Sequence, residues 1–479
     1  MSKSLATNAA FNAAYKAISV VFPLIVSVYV SRILMPAGVG EVQFASSLAS
    51  YFVTFAALGL PSYGVREVSR ARQRGDLDQV FSELFVLNAA SSLVSAVIYC
   101  LMVCAIYGSS KSFVLQIVFV SQIALNLFNI DWFYQGLEEF AFIAVRSVAI
   151  KLLTIVLMFV FIHDSGDTLA YALLLCAGSV GNYFLNIIQL PRYVKLTFHG
   201  LKIKRHLAPT LYLLAVAAAA DIYGKLNTTL LGIFSTSEAT GFYSCGLSCI
   251  NACLQMLLAV TAVFLPRLSF FYSVDRVAFD KLVSRGLGIL IFVGLPLLVG
   301  IQFVADYAVA LLFGAAFAPS ASVVRILSLL LLVKGIGDLM CYQVLMAAGK
   351  ERLFLPSRIL GSLVNLALGI PLITYFGHNG AAVASVASEI AVNAPLFVYS
   401  LRVVKPKLNN GDITSSCCAS GCMAISLILV SHFFSGNLVT VIADVVIGAA
   451  VYMFVCIAAK NTMLLELVEI LKEKLSHGK

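Results

Sequence analysis

Asp131-Trp132-Phe133-Tyr134-Gln135-Gly136-Leu137-Glu138 stands between two long apolar segments, with Arg146 and Lys151 behind it. A Trp beside a carboxylate and an amide, at the mouth of a helix pair, suits a membrane–water boundary, where amphipathic rings anchor. Outward from this string the chain is apolar to an extent that decides its class. Of 479 residues, 61% are hydrophobic and 11% charged, with mean hydropathy +0.97. Soluble domains carry about 25% charged residues, so the composition excludes an ordinary globular protein. It describes an all-α polytopic membrane protein.

A span takes about 20 apolar residues. Fourteen are expected, at approximately 8–33, 41–60, 82–107, 111–135, 141–162, 168–190, 207–233, 241–265, 283–304, 320–347, 354–376, 379–401, 413–434 and 437–459. The runs are continuous rather than alternating, which favours helices over barrel strands. The first segment is too long for a signal h-region, so it is expected to stay as the first membrane helix.

Positive charge orients the chain. With the N-terminus in the cytoplasm, 24 of the 32 Lys and Arg residues fall at inward-facing ends, and only Arg32 and Lys111 at outward-facing ones. Both termini are therefore expected in the cytoplasm. The net charge of +9 is mostly this bias and needs no nucleic-acid partner. The eleven cysteines lack ligand spacing and read as packing residues. No metal or other cofactor is expected.

The chain reads as two related halves. Helix 1 ends in Ser31-Arg32-Ile33-Leu34-Met35-Pro36-Ala37-Gly38-Val39-Gly40, and helix 7 is followed by a similar turn reaching Gly241, offset by 201 residues. Leu60-Pro61 and Leu265-Pro266 repeat at an offset of 205. Six helices per half gives a parallel repeat about an axis along the membrane normal. The expected organisation is 1–206, a six-helix lobe; 207–408, a second; 409–460, two added helices; and 461–479, a cytoplasmic tail. Outer loops are short, which disfavours a membrane polysaccharide polymerase or ligase; no bond-breaking chemistry is expected. His163-Asp164-Ser165-Gly166-Asp167 is the dense polar outer turn, a solvated connector.

Several helices carry polar stripes at helical spacing. They include Asn8, Asn12 and Lys16 in helix 1, Gln122, Asn126 and Asn129 in helix 4, and Ser179, Asn182 and Asn186 in helix 6. Asp221 and Lys225 follow in helix 7, Lys334 and Asp338 in helix 10, and Glu389 and Asn393 in helix 12. Each stripe alone reads as interhelical glue, worth about 0.6 kcal/mol per hydrogen bond. Together they are better explained by a water-filled cavity. Asp221 with Lys225, and Lys334 with Asp338, stand at i,i+4, where each pair can neutralise itself. Lys16, Arg146 and Lys151 have no carboxylate at that spacing, which leaves them to bind an anion or to pair with an acid elsewhere. Pro23, Pro296, Pro371 and Pro395 lie inside spans and permit kinks.

These residues carry a resemblance. Ser31-Arg32-Ile33-Leu34 with Gly38-Val39-Gly40, Gly64-Val65-Arg66-Glu67-Val68, the Asp131–Glu138 string, Gly349-Lys350-Glu351 and Phe376-Gly377-His378-Asn379-Gly380-Ala381 resemble the polysaccharide transporters of the multidrug/oligosaccharidyl-lipid/polysaccharide exporter superfamily. The Trp-x-x-Gln-Gly-x-Glu string is the most specific piece, with Asp131, Trp132, Gln135, Gly136 and Glu138 as the matching positions. The resemblance implies a V-shaped fold of two six-helix repeats plus two C-terminal helices around a cationic cavity. It implies a flippase that carries undecaprenyl-diphosphate-linked oligosaccharide to the outer leaflet of the bacterial cytoplasmic membrane by alternating access, driven by cation antiport or membrane potential. On that reading Lys16, Lys225, Arg146 and Lys151 hold the diphosphate. Asn12, Asn126, Asn129, Asn182 and Asn186 hold the glycan, and Asp221, Asp338 or Glu389 an exchanged cation. The expected partners are the lipid-linked oligosaccharide, membrane lipids and the polymerase machinery of the same assembly route. A multidrug/cation antiporter and a peptidoglycan lipid-intermediate flippase of the same superfamily remain alternatives.

Overall fold

The computed structural model describes residues 5–110, 112–262, 264–433 and 438–465, with side chains from residue 22 on except 260 and 431–440. Every regular element among them is helical. In chain order these are α1 (Leu5–Ala57), α2 (Leu60–Arg74), α3 (Leu77–Tyr107), α4 (Phe113–Ala124), α5 (Asp131–Gly136), α6 (Phe140–Phe161), α7 (Thr168–Gln189) and α8 (Lys204–Phe234). They continue as α9 (Ser237–Thr261), α10 (Phe264–Val274), α11 (Arg276–Phe313), α12 (Ser320–Leu327), α13 (Leu329–Ile336), α14 (Val344–Ala347), α15 (Phe354–Ser400), α16 (Asn410–Phe433) and α17 (Leu438–Ala458).

Eleven described helical stretches are long and apolar enough to cross a membrane, against the fourteen expected. The difference has local causes. α1 joins two expected segments across Met35, whose backbone leaves the helical region (φ 60, ψ 173). Pro36 follows and disfavours helix at the residue before it. α15 joins two more across Gly377 (φ 54, ψ −128), a conformation that suits glycine. The expected segment 320–347 is cut into α12, α13, a π-helical turn at Gly337–Gln343 and α14, and no piece alone is long enough.

The chain divides into two compact units, Met1–Gly241 and Phe242–Lys479. In the first, α1 packs along α8, α3 and α6, and α5 lies on the short α2. The core there gathers Tyr63, Val68, Phe81, Trp132, Phe133 and Tyr134. In the second, α11 is flanked by α16, α17 and α13. Asp412 at the start of α16 accepts from the Thr462 N–H at 2.7 Å, and Asn461 donates to Asp412 O at 3.1 Å, which ties the two last helices together. In the turn before α7, Asp167 accepts from the N–H groups of His163 (2.8 Å) and Asp164 (2.9 Å). Those two bonds hold its carboxyl below the usual carboxylate range.

Candidate functional site

The backbone between α4 and α5 departs from the α-helix inside an apolar stretch. α4 stops at Ala124, a tight 3-10 turn covers Leu125–Phe128, and α5 starts at Asp131. The break frees carbonyls, and irregular backbone at membrane depth persists only where protein or water satisfies it. Two asparagines do so. Asn88 Nδ2 donates to the carbonyls of Asn126 (3.2 Å) and Leu127 (3.1 Å), and Asn186 Nδ2 donates to that of Phe128 (3.3 Å).

The same Asn186 reaches Asp131. Asp131 Oδ1 accepts from Asn186 Nδ2 at 2.8 Å and from Arg146 Nη2 at 2.9 Å, while Arg146 Nη1 donates to Asn186 Oδ1. Arg146 is 4% exposed. Its guanidinium is enclosed and paired in this structure, so it fixes the Asp131 string to α6 and α7 rather than presenting a charge to an anion. Asn126 and Asn186 are wholly buried as well. The Asn186 amide is spent on the Phe128 carbonyl, Asp131 and Arg146, and that of Asn126 on Ser92 Oγ and Asn129, not on a face that a glycan reaches in this conformation.

Trp132 departs from its expected role. At 2% exposure it is a core residue, not an interfacial anchor. Phe81 stacks against it at 5.8 Å between ring centroids. Gly64 sits on the ring so closely that a Cβ there would come within 2.5 Å of Trp132 Cε3. A Cβ on Gly136 would likewise meet the Val68 side chain at 2.7 Å. The Gly64–Val68 motif and the Asp131–Glu138 motif are thus two sides of one packing, α2 against α5. Glu138 takes a left-handed conformation (φ 65) just beyond it and is exposed.

Beside this packing lies a cavity of about 190 Å³, lined by Ala57, Leu60, Pro61, Asn88, Asn129, Asp131, Trp132 and Gln135. Asn129 Nδ2 donates to Asn126 Oδ1 at 3.1 Å. The Trp132 indole N–H is enclosed without an acceptor among the described residues.

The other expected site residues fall in separate places. Lys16 and Asn12 lie outside the residues whose side chains are described. Asp221 accepts from Thr54 Oγ1 at 3.0 Å across the α1–α8 seam, where Thr229 also meets Tyr51 (2.7 Å) and Ser47 (3.1 Å). Asp221 and Lys225, one turn apart on α8, form no ion pair among the described residues. The expected self-neutralising pair is therefore not made. Lys151 Nζ lies 5.6 Å from the centre of the Phe22 ring. Asn182 donates to Gly178 O at 2.9 Å, and its Oδ1 is buried without a donor.

In the second unit Lys334 pairs with Glu389 (3.4 Å) on α15 instead of Asp338. Asp338 accepts from Thr261 Oγ1 (3.1 Å) and Gln343 Nε2 (2.7 Å). The reason is the π-helical turn that opens at Gly337: its wider step ends the helical register on which i,i+4 pairing depends. Asn393 Nδ2 donates to Glu389 Oε1 at 3.2 Å.

Two groups escaped the sequence reading. Asn88 supports the break from α3, and the signal was present in the polar run Asn88, Ser91, Ser92, Ser95 of that span. Glu83 is fully buried and accepts from Arg205 (2.6 Å), from His206 Nε2 (2.7 Å) and from the Lys202 N–H (2.7 Å), while His206 Nδ1 meets the Tyr63 hydroxyl at 2.8 Å. A single carboxylate at the head of an apolar span was its trace.

The family model described as polysaccharide biosynthesis protein matches residues 5–271. A protein of Escherichia coli (strain K12) named as an O-antigen transporter is 23% identical over 407 residues, covering 83% of this chain and 96% of that protein. A Haloferax volcanii protein named as the flippase AglR is 26% identical over 262 residues, 53% of this chain and 54% of its own length. Among solved structures, the lipid II flippase MurJ in an inward closed conformation superposes with TM-score 0.69 at 15% identity, over 92% of this chain and 99% of that one. An inward-facing multidrug-resistance MATE transporter gives 0.65 at 17% identity, over 80% of this chain and 94% of that one. At such identities the two structures speak for the fold. The matched stretch is more than half of the chain, and the protein belongs to the polysaccharide biosynthesis protein family.

Proposed function

We propose that this chain is a flippase for undecaprenyl-diphosphate-linked oligosaccharide repeats, moving them from the inner to the outer leaflet of the bacterial cytoplasmic membrane for surface polysaccharide assembly. The observation that carries the reading is the alignment along nearly the whole of a protein named as an O-antigen transporter. The proposed topology has both termini in the cytoplasm, six spans in each of 1–206 and 207–408, and two in 409–460.

The chemistry fits a carrier. Lys225 lies on an apolar helix and makes no ion pair among the described residues, and a lysine at mid-membrane costs at least about 2.5 kcal/mol. Such a charge is retained where it meets an anion, and a diphosphate is one that a lysine holds as a point charge. Lys16 on α1 is assigned the same role, and Lys151 a secondary one. Asp221 and Asp338, bonded to neutral hydroxyl or amide donors rather than to a cation, are the acids assigned to the exchanged cation.

The test is translocation in proteoliposomes: a labelled polyprenyl-diphosphate oligosaccharide is followed by its accessibility to an external glycosidase, with and without an imposed cation gradient. Protein-dependent movement is expected, slowed at least tenfold by Lys225→Ala at normal protein levels. No movement of several such glycans by folded protein would transfer the reading to drug export, and glycan lengthening in the same vesicles would make it an enzyme.

A further inference from the structure

We propose that Asn88, Asn129, Asp131 and Gln135 form a subsite for the hydroxyl groups of a single sugar ring; naming the ligand a sugar rests on the transport reading above. The four line the cavity of about 190 Å³ beside Trp132 in the first unit. Each is fixed on one side by the protein or left open for a ligand. Asn88 spends its nitrogen on the Asn126 and Leu127 carbonyls, and Asn129 on Asn126 Oδ1, so that each offers its side-chain oxygen. Asp131 engages Arg146 and Asn186 through Oδ1 and keeps Oδ2. The Gln135 amide has no hydrogen-bond partner among the described residues and supplies both a donor and an acceptor.

The balance of these groups selects the ligand. Three side-chain oxygens and an amide face a space many times larger than one water needs. A bare alkali cation would be held loosely there, and the Arg146 guanidinium 2.9 Å from Asp131 already neutralises the one carboxylate. An organic cation would likewise find no net negative charge there, because Arg146 already offsets the Asp131 carboxylate. An inorganic anion would meet an excess of acceptors. Hydroxyls both donate and accept, and a polyol pairs with such a wall throughout. Rigidity comes from the broken α4–α5 backbone, which Asn88 and Asn186 hold in place from α3 and α7.

Trp132 is the only tryptophan of the chain and forms part of the cavity wall, so its emission reports occupancy directly. Purified full-length protein in nanodiscs is titrated with methyl glycosides of glucose, galactose, N-acetylglucosamine and fucose, and separately with sodium chloride and tetraethylammonium chloride. The expected result is a saturable emission change with at least one glycoside and none with the salts. Gln135→Leu and Asn129→Leu, each checked for unaltered thermal unfolding, should weaken that response at least tenfold. A response to either salt in place of the glycosides would overturn the sugar assignment. So would silence toward every glycoside while wild type and Gln135→Leu translocate lipid-linked glycan at equal rates, which leaves the transport reading standing. Glycoside binding that Gln135→Leu removes, in protein that translocates nothing, would support the subsite and overturn the transport reading.

Discussion

At the scale of single residues, the charge that looks most available in the sequence is the one most firmly held. Arg146 has no acid within reach on its own helix, yet the half-buried Asp131 on the preceding short helix meets its buried guanidinium at 2.9 Å. Removing the arginine strands a carboxylate that solvent reaches in part, at a cost below the ~3–5 kcal/mol of a fully buried pair. Arg146→Met should therefore lower resistance to unfolding in detergent sharply, and Asp131→Asn in the same chain should recover part of the loss. Normal unfolding of Arg146→Met with translocation abolished would instead place the guanidinium on the substrate. Gly64 gives a second residue-scale prediction. An added Cβ would press to 2.5 Å on the Trp132 ring, inside a packed core. Gly64→Ala is expected to cost about 1–3 kcal/mol and to shift Trp132 emission to the red as the ring gains water. An unshifted spectrum would mean that α2 and α5 part without disturbing it.

At the scale of elements, hydropathy found the helices and helical periodicity failed wherever the helix itself is irregular. Lys334 and Asp338 share a face only if the backbone between them is regular, and the π-helical turn from Gly337 removes that condition. Nothing in the residue pattern around Gly337 marks a wide turn, so the partner of Lys334 could not be read from spacing. The true pair joins α13 to α15, 3.4 Å across. A double-mutant cycle separates the two pairings. Lys334→Met and Glu389→Gln should couple by about 0.5–3 kcal/mol in unfolding free energy, whereas Lys334→Met and Asp338→Asn should be nearly additive. The reverse result would restore the i,i+4 pair. The α4–α5 break taught the same lesson in amides: Asn126 and Asn186 sit in stripes that suggest a wet wall, but their side chains are occupied by protein groups, which only three-dimensional proximity reveals.

At the scale of the whole molecule, class and family were legible because apolar composition and a few motif positions survive any rearrangement of detail. Where one helical stretch ends and the next begins was less so: Met35 and Gly377 bend helices without interrupting their apolar runs, whereas the segment 320–347 is apolar throughout and still broken. Energy coupling is a whole-molecule property that neither stripes nor spans encode, but the carboxylates narrow it. Among the acids without an ion-pair partner in the described residues are Asp221, bonded to Thr54, in the first unit and Asp338, bonded to Thr261 and Gln343, in the second. A charged acid in an apolar span is costly, and a site that exchanges a cation must release it as readily as it binds. If either acid carries the exchanged ion, its Asn variant loses the ion's binding while its neighbours' hydrogen bonds can re-form. Asp221→Asn or Asp338→Asn should then abolish the acceleration that an imposed sodium or proton gradient gives, and leave gradient-free movement within about twofold. The measurement is glycosidase accessibility in proteoliposomes under each gradient in turn. Acceleration retained in both variants would remove these two acids from coupling and leave the membrane potential, acting on the lysine-bound diphosphate, as the driving force.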